Sequence, residues 1–332
     1  MRELIITSGK GGTGKTSLAA SLGVLARPAV LVDCDVDASD LHLVLAPYVE
    51  RREEFIAGSK APIKPAHCTA CGKCKELCRF DAIWFDGPGN GRVERTFRID
   101  PLACEGCGVC AEFCAEGAIE FRPSVCGRWF VSRTRCGPMI HARLAVGAEN
   151  SGKLVTQLRR AAAEIGRSKG LGLVIGDGSP GIGCPVIASL TGASLALIVA
   201  EPTVSGAHDF ERIARLAARL GVPGAVVVNK ADLNPEMAES IETIARRFGV
   251  ESLGRVPYDP EITRAQTAGR SVVEYSDGPA AGAIRAIWTR LSSRLARGPE
   301  MDAEPLVRLD AQSQPQGWPA GSSARPAGEP PS

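Results

Sequence analysis

Two groupings of residues in this chain have the types and spacing to do chemistry. The first is the run Gly9-Lys10-Gly11-Gly12-Thr13-Gly14-Lys15-Thr16, which follows a short aliphatic segment and opens an apolar stretch of helical character. Its glycines let backbone amides turn inward around phosphates, and the helix that follows presents its positive end to an anion. Lys15 can reach the β- and γ-phosphates, the Thr16 hydroxyl can ligate Mg²⁺, and Ser17 continues the same first turn. The bland alternative is a glycine-rich turn with an incidental lysine, and the complete pattern in a strand-to-helix setting argues against it. The second grouping is Cys68, Cys71, Cys74 and Cys78, followed by Cys104, Cys107, Cys110 and Cys114. Each set has the spacing Cys-x₂-Cys-x₂-Cys-x₃-Cys, in which three thiolates of one tight loop hold an iron–sulfur cube and the fourth reaches the neighbouring one. The expected ligand sets for two 4Fe-4S clusters are therefore Cys68, Cys71, Cys74 and Cys114 for one, and Cys104, Cys107, Cys110 and Cys78 for the other. Zinc is the competing ligand, although its four-cysteine sites more often use two separated pairs. The proline that often follows the fourth cysteine is replaced by Arg79 and Ala115, a change that bears on solvent access rather than on ligation.

Two further acidic positions complete the phosphate chemistry. The segment Leu31-Val32-Asp33-Cys34-Asp35-Val36-Asp37 ends an apolar run with three carboxylates, and Leu173-Val174-Ile175-Gly176-Asp177 ends another with one. Asp177 has the place of a carboxylate that holds Mg²⁺ through water. The triple-acid segment also reads, more simply, as a solvated strand end that caps the next helix. Cys34, Cys126, Cys136 and Cys184 lie outside the cysteine repeat and are expected to be small buried apolar residues.

The elements that must position these residues follow from periodicity. Short aliphatic runs near 3 to 7, 29 to 33, 172 to 176, 195 to 200, 224 to 229 and 252 to 256 alternate with amphipathic stretches near 15 to 26, 152 to 168, 207 to 220, 235 to 248 and 280 to 297. That alternation predicts an α/β fold, a doubly wound and mostly parallel sheet covered by helices. It halts between about 60 and 122 and then resumes, which predicts an insertion: residues 1 to 60 and 123 to 297 form one domain around a small α+β domain at 61 to 122. The insertion repeats itself at the Cys68-to-Cys104 offset, with Ile63, Pro65, Gly72, Ala82, Ile83 and Phe85 recurring as Ile99, Pro101, Gly108, Ala118, Ile119 and Phe121. Two halves related by pseudo-twofold symmetry are expected. The stretch 298 to 332, rich in Pro, Gly, Ser and Ala, is expected to be a disordered tail.

Composition sets limits. Lys plus Arg number 39 against 37 Asp plus Glu, a net charge of +2 that gives no chain-wide footprint for nucleic acid. The N-terminal apolar run Leu4-Ile5-Ile6 is too short for an export signal, and no run approaches a membrane span, so a cytoplasmic location is expected. Twelve cysteines in such a chain read as metal ligands rather than as a disulfide framework.

Lys10 lies within the phosphate loop itself, and Lys10-Gly11-Gly12-Thr13-Gly14-Lys15-Thr16 resembles the deviant Walker A motif of the MinD, ParA, Mrp and nitrogenase iron-protein superfamily of P-loop ATPases. The stretches Gly147-Ala148-Glu149-Asn150-Ser151-Gly152-Lys153 and Glu201-Pro202-Thr203-Val204-Ser205-Gly206 resemble members of that group with an inserted ferredoxin domain. The resemblance covers about residues 1 to 290. It implies a SIMIBI-type fold that binds ATP and Mg²⁺ and dimerises around nucleotide, as a homodimer or with a paralogue. It also implies that Lys10 stabilises phosphate charge across the dimer while Lys15 works within its own subunit, and that Asp35 positions the attacking water, with Asp33 or Asp37 as near alternatives. Asn229 and Pro257 would contact adenine, although Asn229-Lys230-Ala231-Asp232 also satisfies a GTPase pattern. Cys184 stands where the nitrogenase iron protein holds a cluster between subunits, or else starts a helix. A C-terminal basic amphipathic helix, with Ile284, Ile287, Trp288, Leu291 and Leu295 in its apolar stripe, could touch a membrane or bury that stripe in the domain.

The function expected from these residues is ATP hydrolysis coupled, through the dimer's shape, to electron transfer via the two clusters and an unidentified redox partner protein. An ATP-dependent iron–sulfur carrier and a redox-sensing positioning ATPase are the alternatives.

Overall fold

The computed structural model describes residues 1–145 and 151–297. The expected tail at 298 to 332, and Gly147 to Asn150 of the resemblance stretch, lie outside the described residues. Strands β1 (Arg2–Ser8), β2 (Val30–Asp33) and β3 (Tyr48–Lys60) come first, interleaved with α1 (Lys15–Ala26) and α2 (Leu41–Leu45). The middle of the chain carries α3 (Lys73–Leu77), β4 (Ile83–Gly87), β5 (Thr96–Ile99) and α4 (Val109–Glu112), and then the long strands β6 (Arg122–Thr134) and β7 (Gly137–Leu144). The alternation resumes with α5 (Ser151–Ser168), β8 (Leu173–Pro180), α6 (Cys184–Leu190), β9 (Leu195–Ala200), α7 (Val204–Arg219), β10 (Gly224–Asn229), α8 (Pro235–Arg247) and β11 (Glu251–Val256). Helices α9 (Glu261–Thr267), α10 (Val272–Tyr275) and α11 (Pro279–Arg297) close the described chain.

One nine-stranded sheet runs β11-β10-β9-β1-β8-β2-β7-β6-β3. All pairings from β11 to β7 are parallel, and β7–β6 and β6–β3 are antiparallel. Parallel strands covered on both faces must be apolar on both. β1 obeys this: Leu4 and Ile6 enter a core formed with α1 and α11, while Ile5 enters the opposite core against α6. The apolar stripe of α11 lies in the domain core, where Ile284, Ile287, Leu291 and Leu295 are buried and Trp288 packs at the margin. Each such side chain contributes about 1.5–3 kcal/mol by leaving water. The arginines around the stripe bind the fold too, Arg290 to the Leu253 carbonyl and Arg285 to the Val273 carbonyl.

The strand-to-helix alternation breaks earlier than the sequence suggests, and differently. β3 already begins at Tyr48, and β6 and β7 form an antiparallel hairpin where none was expected. The physical reason is that β3 is an edge strand whose Arg51-Arg52-Glu53-Glu54 segment faces water, leaving only Phe55 and Ala57 buried. Charge on an edge blunts stray pairing, and it also erases the apolar signature of a strand.

β3 and β6 pair from Tyr48↔Arg133 to Lys60↔Arg122, so the chain between Ala61 and Phe121 leaves and re-enters at the tip of one hairpin. Within it, the cysteine repeat folds with its halves exchanged. Ile83 pairs with Ile99 and Ile63 with Ile119, so the first extended segment of each half lies against the second of the other. Gly72 and Gly108, equivalent in the repeat, start α3 and α4 with φ of 81° and 79°. Such positive φ values fall to glycine because it lacks a Cβ.

Candidate functional site

The loop between β1 and α1 is held in shape from several sides. Gly12 and Gly14 adopt φ of 79° and 84°, and a Cβ on Gly14 would lie 2.3 Å from the Asn229 side-chain nitrogen. Asn229 Nδ2 donates to the Thr13 carbonyl at 2.8 Å, and Lys230 Nζ donates to the Gly12 carbonyl at 3.3 Å. The end of β10 therefore packs on the phosphate loop. Ser17 Oγ, a turn into α1, accepts from Gln266 Nε2 of α9 at 2.6 Å, and Thr16 remains half-buried beside it.

Lys15 is buried between two carboxylates, 3.1 Å from Asp35 Oδ2 and 3.0 Å from Asp177 Oδ1. Burial works against its ammonium, but the charges of Asp177 and Asp35 outweigh burial and push its pKa up. Asp35 is raised by burial, an effect that the neighbouring Lys15 charge partly offsets. Asp33, fully buried, is pushed up to about 8 by burial and then by the charge of Asp177. It accepts from the Asp35 amide at 3.1 Å, the Ser39 hydroxyl at 2.7 Å and the Leu41 amide at 3.2 Å, which makes it the staple of the acidic loop. Asp37 lines a neighbouring cleft.

Among the described residues two buried polar atoms here have no partner, Asp177 Oδ2 and Thr13 Oγ1. Buried acceptors are normally satisfied. An orphaned carboxylate oxygen, in contact through Oδ1 with the lysine next to Thr16 in the chain, is the donor chemistry that a hydrated Mg²⁺ requires, so the residues fit that ion.

Lys10 does not point into its own loop. Its Nζ lies 3.1 Å from Glu201 Oε2, and Lys230 Nζ holds the other oxygen at 2.5 Å. Burial disfavours the Glu201 carboxylate, yet Lys230 and Lys10 outweigh it and keep its pKa below the usual glutamate value. The sequence offered no signal that Glu201 reaches both lysines, because the contact joins three loops far apart along the chain. Pro257, half-buried, follows β11, and the next amide, of Tyr258, donates to Asp232 Oδ1 at 2.5 Å. That bond takes one oxygen of the carboxylate that a GTPase reading of Asn229 to Asp232 would leave open for a base.

The eight clustered thiols line two separate cavities. Cys68, Cys71, Cys74 and Cys114 line one of about 140 Å³, and Cys78, Cys104, Cys107 and Cys110 line another of about 20 Å³. These are the two sets that the spacing predicts. Among the described residues no three His, Cys, Asp or Glu side chains converge tightly enough to hold a single metal ion. Four thiols ringing one space suit a polynuclear cluster, whose ligands stand farther apart than those of one ion. Burial raises the pKa of the Cys74 thiol to about 11, and burial likewise raises that of Cys110. A cationic cluster, by favouring thiolate, would reverse both shifts.

The remaining cysteines divide. Cys34, Cys126 and Cys136 are buried, and Cys126 Sγ donates to the Ala57 carbonyl at 2.8 Å. Cys184 is exposed at the first position of α6, with Pro185 behind it.

Comparison with known proteins places this architecture. Residues 4–272 match the CobQ/CobB/MinD/ParA nucleotide binding domain. An uncharacterized protein of Methanocaldococcus jannaschii is 35% identical over 236 residues, covering 70% of this chain and 79% of its own. An uncharacterized ATP-binding protein of the same organism is 32% identical over 123 residues, 36% of this chain and 46% of that one. Among solved structures, the septum site-determining protein MinD of Pyrococcus horikoshii, complexed with Mg-ADP, superposes with a TM-score of 0.54 at 16% identity. That match covers 90% of this chain and 99% of the other.

Proposed function

Because the chain belongs to the CobQ/CobB/MinD/ParA nucleotide-binding family, we propose that it is an ATPase whose nucleotide-dependent dimer gates electron transfer through two 4Fe-4S clusters held by its inserted segment. A relative described as ATP-binding favours adenine, as does the Tyr258 amide on one oxygen of Asp232. In this reading residues 61 to 122 form a ferredoxin domain inserted between the two parts of the ATPase domain. The observation that carries it is the division of eight thiols between two cavities, each lined by three cysteines of one half of the repeat and the fourth of the other.

The catalytic residues would exchange partners as nucleotide binds. Lys15 leaves Asp35 and Asp177 for the β- and γ-phosphates, where its charge offsets that developing in phosphoryl transfer. Asp35, released, accepts a hydrogen bond from the attacking water. Asp177 and Thr16 hold the Mg²⁺ shell. Lys10 leaves Glu201 for the nucleotide of a partner subunit, which is either an identical chain or a paralogue. Each cluster, when bound, supplies a one-electron couple whose potential follows burial and hydrogen bonding.

The test is anaerobic purification with iron and sulfide counting, followed by paramagnetic resonance of the reduced clusters with and without ATP and Mg²⁺. About eight irons per chain with a reduction behaviour that ATP alters is the expected result. Clusters indifferent to ATP would overturn the coupling, and iron lost to an added apoprotein would make the protein a carrier.

A further inference from the structure

The face of the sheet extension opposite α5 carries an unusual concentration of positive charge. β3, β6 and β7 bury Phe55, Trp129, Ile140 and Ala142 on one side. On the other side, two cross-strand rows stand next to each other: Arg52, Phe130 and His141, then Glu54, Arg128 and Arg143. Arg128 and Arg143 are direct antiparallel neighbours, an arrangement that like charges make unfavourable. Arginines on the same strands are neutralised elsewhere, Arg51 by Glu53 and Arg133 by Glu50. Arg52, Arg128 and Arg143 have no carboxylate partner among the described residues, although Glu54 shares their row and Asp37 stands at the rim.

These three arginines line a cleft of about 980 Å³ together with Phe130, His141 and His42. Cavities of this size commonly hold small molecules. His141 Nε2 is 2.9 Å from Ser132 Oγ, and His42 Nδ1 is buried with no hydrogen-bond partner among the described residues. The field in the cleft is positive enough to register on its own members. His141 is lowered to about 4 by burial, and His42 and Arg143 add to the shift. The opposite wall is the acidic loop of the nucleotide site, for Ser39 lines the cleft and also donates to the buried Asp33.

We propose that this cleft binds a small multivalent oxyanion, a polycarboxylate or a phosphate ester, and that its occupancy is sensed at the nucleotide site through the Asp37 to Ser39 loop. Three unneutralised guanidinium groups on adjacent strands offer the planar double donors that carboxylate and phosphate oxygens accept. The aromatic ring of Phe130 and the two imidazoles supply a floor for the ligand's carbon skeleton. A like-charge pair costs stability by itself and turns favourable once an anion lies between its members. This inference goes beyond the ATPase reading and does not depend on the clusters.

The test uses the full chain loaded with Mg-ADP, so that the phosphate loop is filled, and titrates inorganic pyrophosphate and citrate by calorimetry. The expected result is one equivalent bound for at least one of them, weakened about tenfold for each arginine removed in the R128Q/R143Q variant, with ADP affinity unchanged. A preference for pyrophosphate identifies a phosphate ester, and a preference for citrate a polycarboxylate. No binding of either, or binding that R128Q/R143Q leaves unaltered, overturns the proposal. R52Q serves as a second variant if the double substitution unfolds, as read by thermal melting. Failure of ADP itself to bind would overturn the nucleotide reading instead, and the cleft would then be judged by the difference between wild type and variant alone.

Discussion

Lys15 lies between two carboxylates, and its removal strands both. Breaking a buried ion pair from one side costs about 3–5 kcal/mol while the remaining charges persist. Asp35, whose pKa burial already raises, can escape that cost by taking up a proton in acid. Lys15→Ala should therefore lower the melting temperature more at pH 8 than at pH 5, and an equal loss at both would show that Lys15 does not keep Asp35 charged. Asp33 carries the opposite kind of dependence. Its folded pKa, about 8, lies above the ordinary 3.8, so the folded chain holds a proton that the unfolded chain releases. The associated stability is complete below about pH 4 and is lost as pH rises through 8. Asp33→Asn is permanently neutral, so its stability in urea should gain on wild type steadily from pH 5 to pH 8. A gap that stays constant with pH would mean that Asp33 is already ionised. At this scale the sequence was informative wherever chemistry demands fixed spacing, as in the phosphate loop and the cysteine runs. It was silent on Glu201 as the holder of Lys10, which depends on loops that meet only after the sheet forms, whereas the cap that Asp33 gives the Leu41 amide is local and was within its reach.

Among the elements, legibility followed burial. Strands β1, β8, β9 and β10 announced themselves because both of their faces are apolar, and their helices because one stripe is. β3, β6 and β7 did not, since their outward faces carry charge for the cleft and for the sheet edge. Two local devices are open to direct test. Ser271 and Glu274 form a reciprocal cap at the start of α10, and Glu274 also binds Arg135 at 2.7 Å. Ser271→Ala should cost about 1 kcal/mol in a denaturation midpoint, the value of an N-cap. In the cysteine segment, Gly106 has φ of 64°, and a Cβ there would lie 2.0 Å from the Ser59 carbonyl oxygen. Gly106→Ala should displace the loop of Cys104 and Cys107 and drop the iron content towards half. The same change at Gly172, where nothing lies within 4 Å and the backbone is not left-handed, should leave the iron count alone. Iron retained in full by both variants would detach the loop's geometry from cluster binding.

For the whole molecule, the position of the cysteine segment at a strand-pair end leads to a prediction of independence. Its ends emerge side by side at Lys60↔Arg122, so a two-residue Asn-Gly turn can replace residues 61–121 and close the hairpin. The excised protein is expected to fold and to keep nucleotide affinity within about twofold, since the phosphate loop and its supports lie elsewhere. Loss of nucleotide binding on excision would make the segment part of the ATPase core rather than a passenger on it.

The way the cysteine segment is mounted has a mechanical consequence. Among the described residues the last β6–β7 pair is Gly127↔Leu144, followed by one bond from the Ala145 amide to the Cys126 carbonyl, whereas β3 and β6 continue paired to Lys60↔Arg122. Beyond that last pair the hairpin continues as an arm of about 16 Å, five residues at a strand's rise. The register shifts at Phe55/Ile56 and Ile56/Ser59, near the root of that arm, are the irregularities at which strands bend. A flexure of about 10° there sweeps the arm's end through about 3 Å. Small motions of the sheet become larger displacements of the cysteine segment, as they would on a crank.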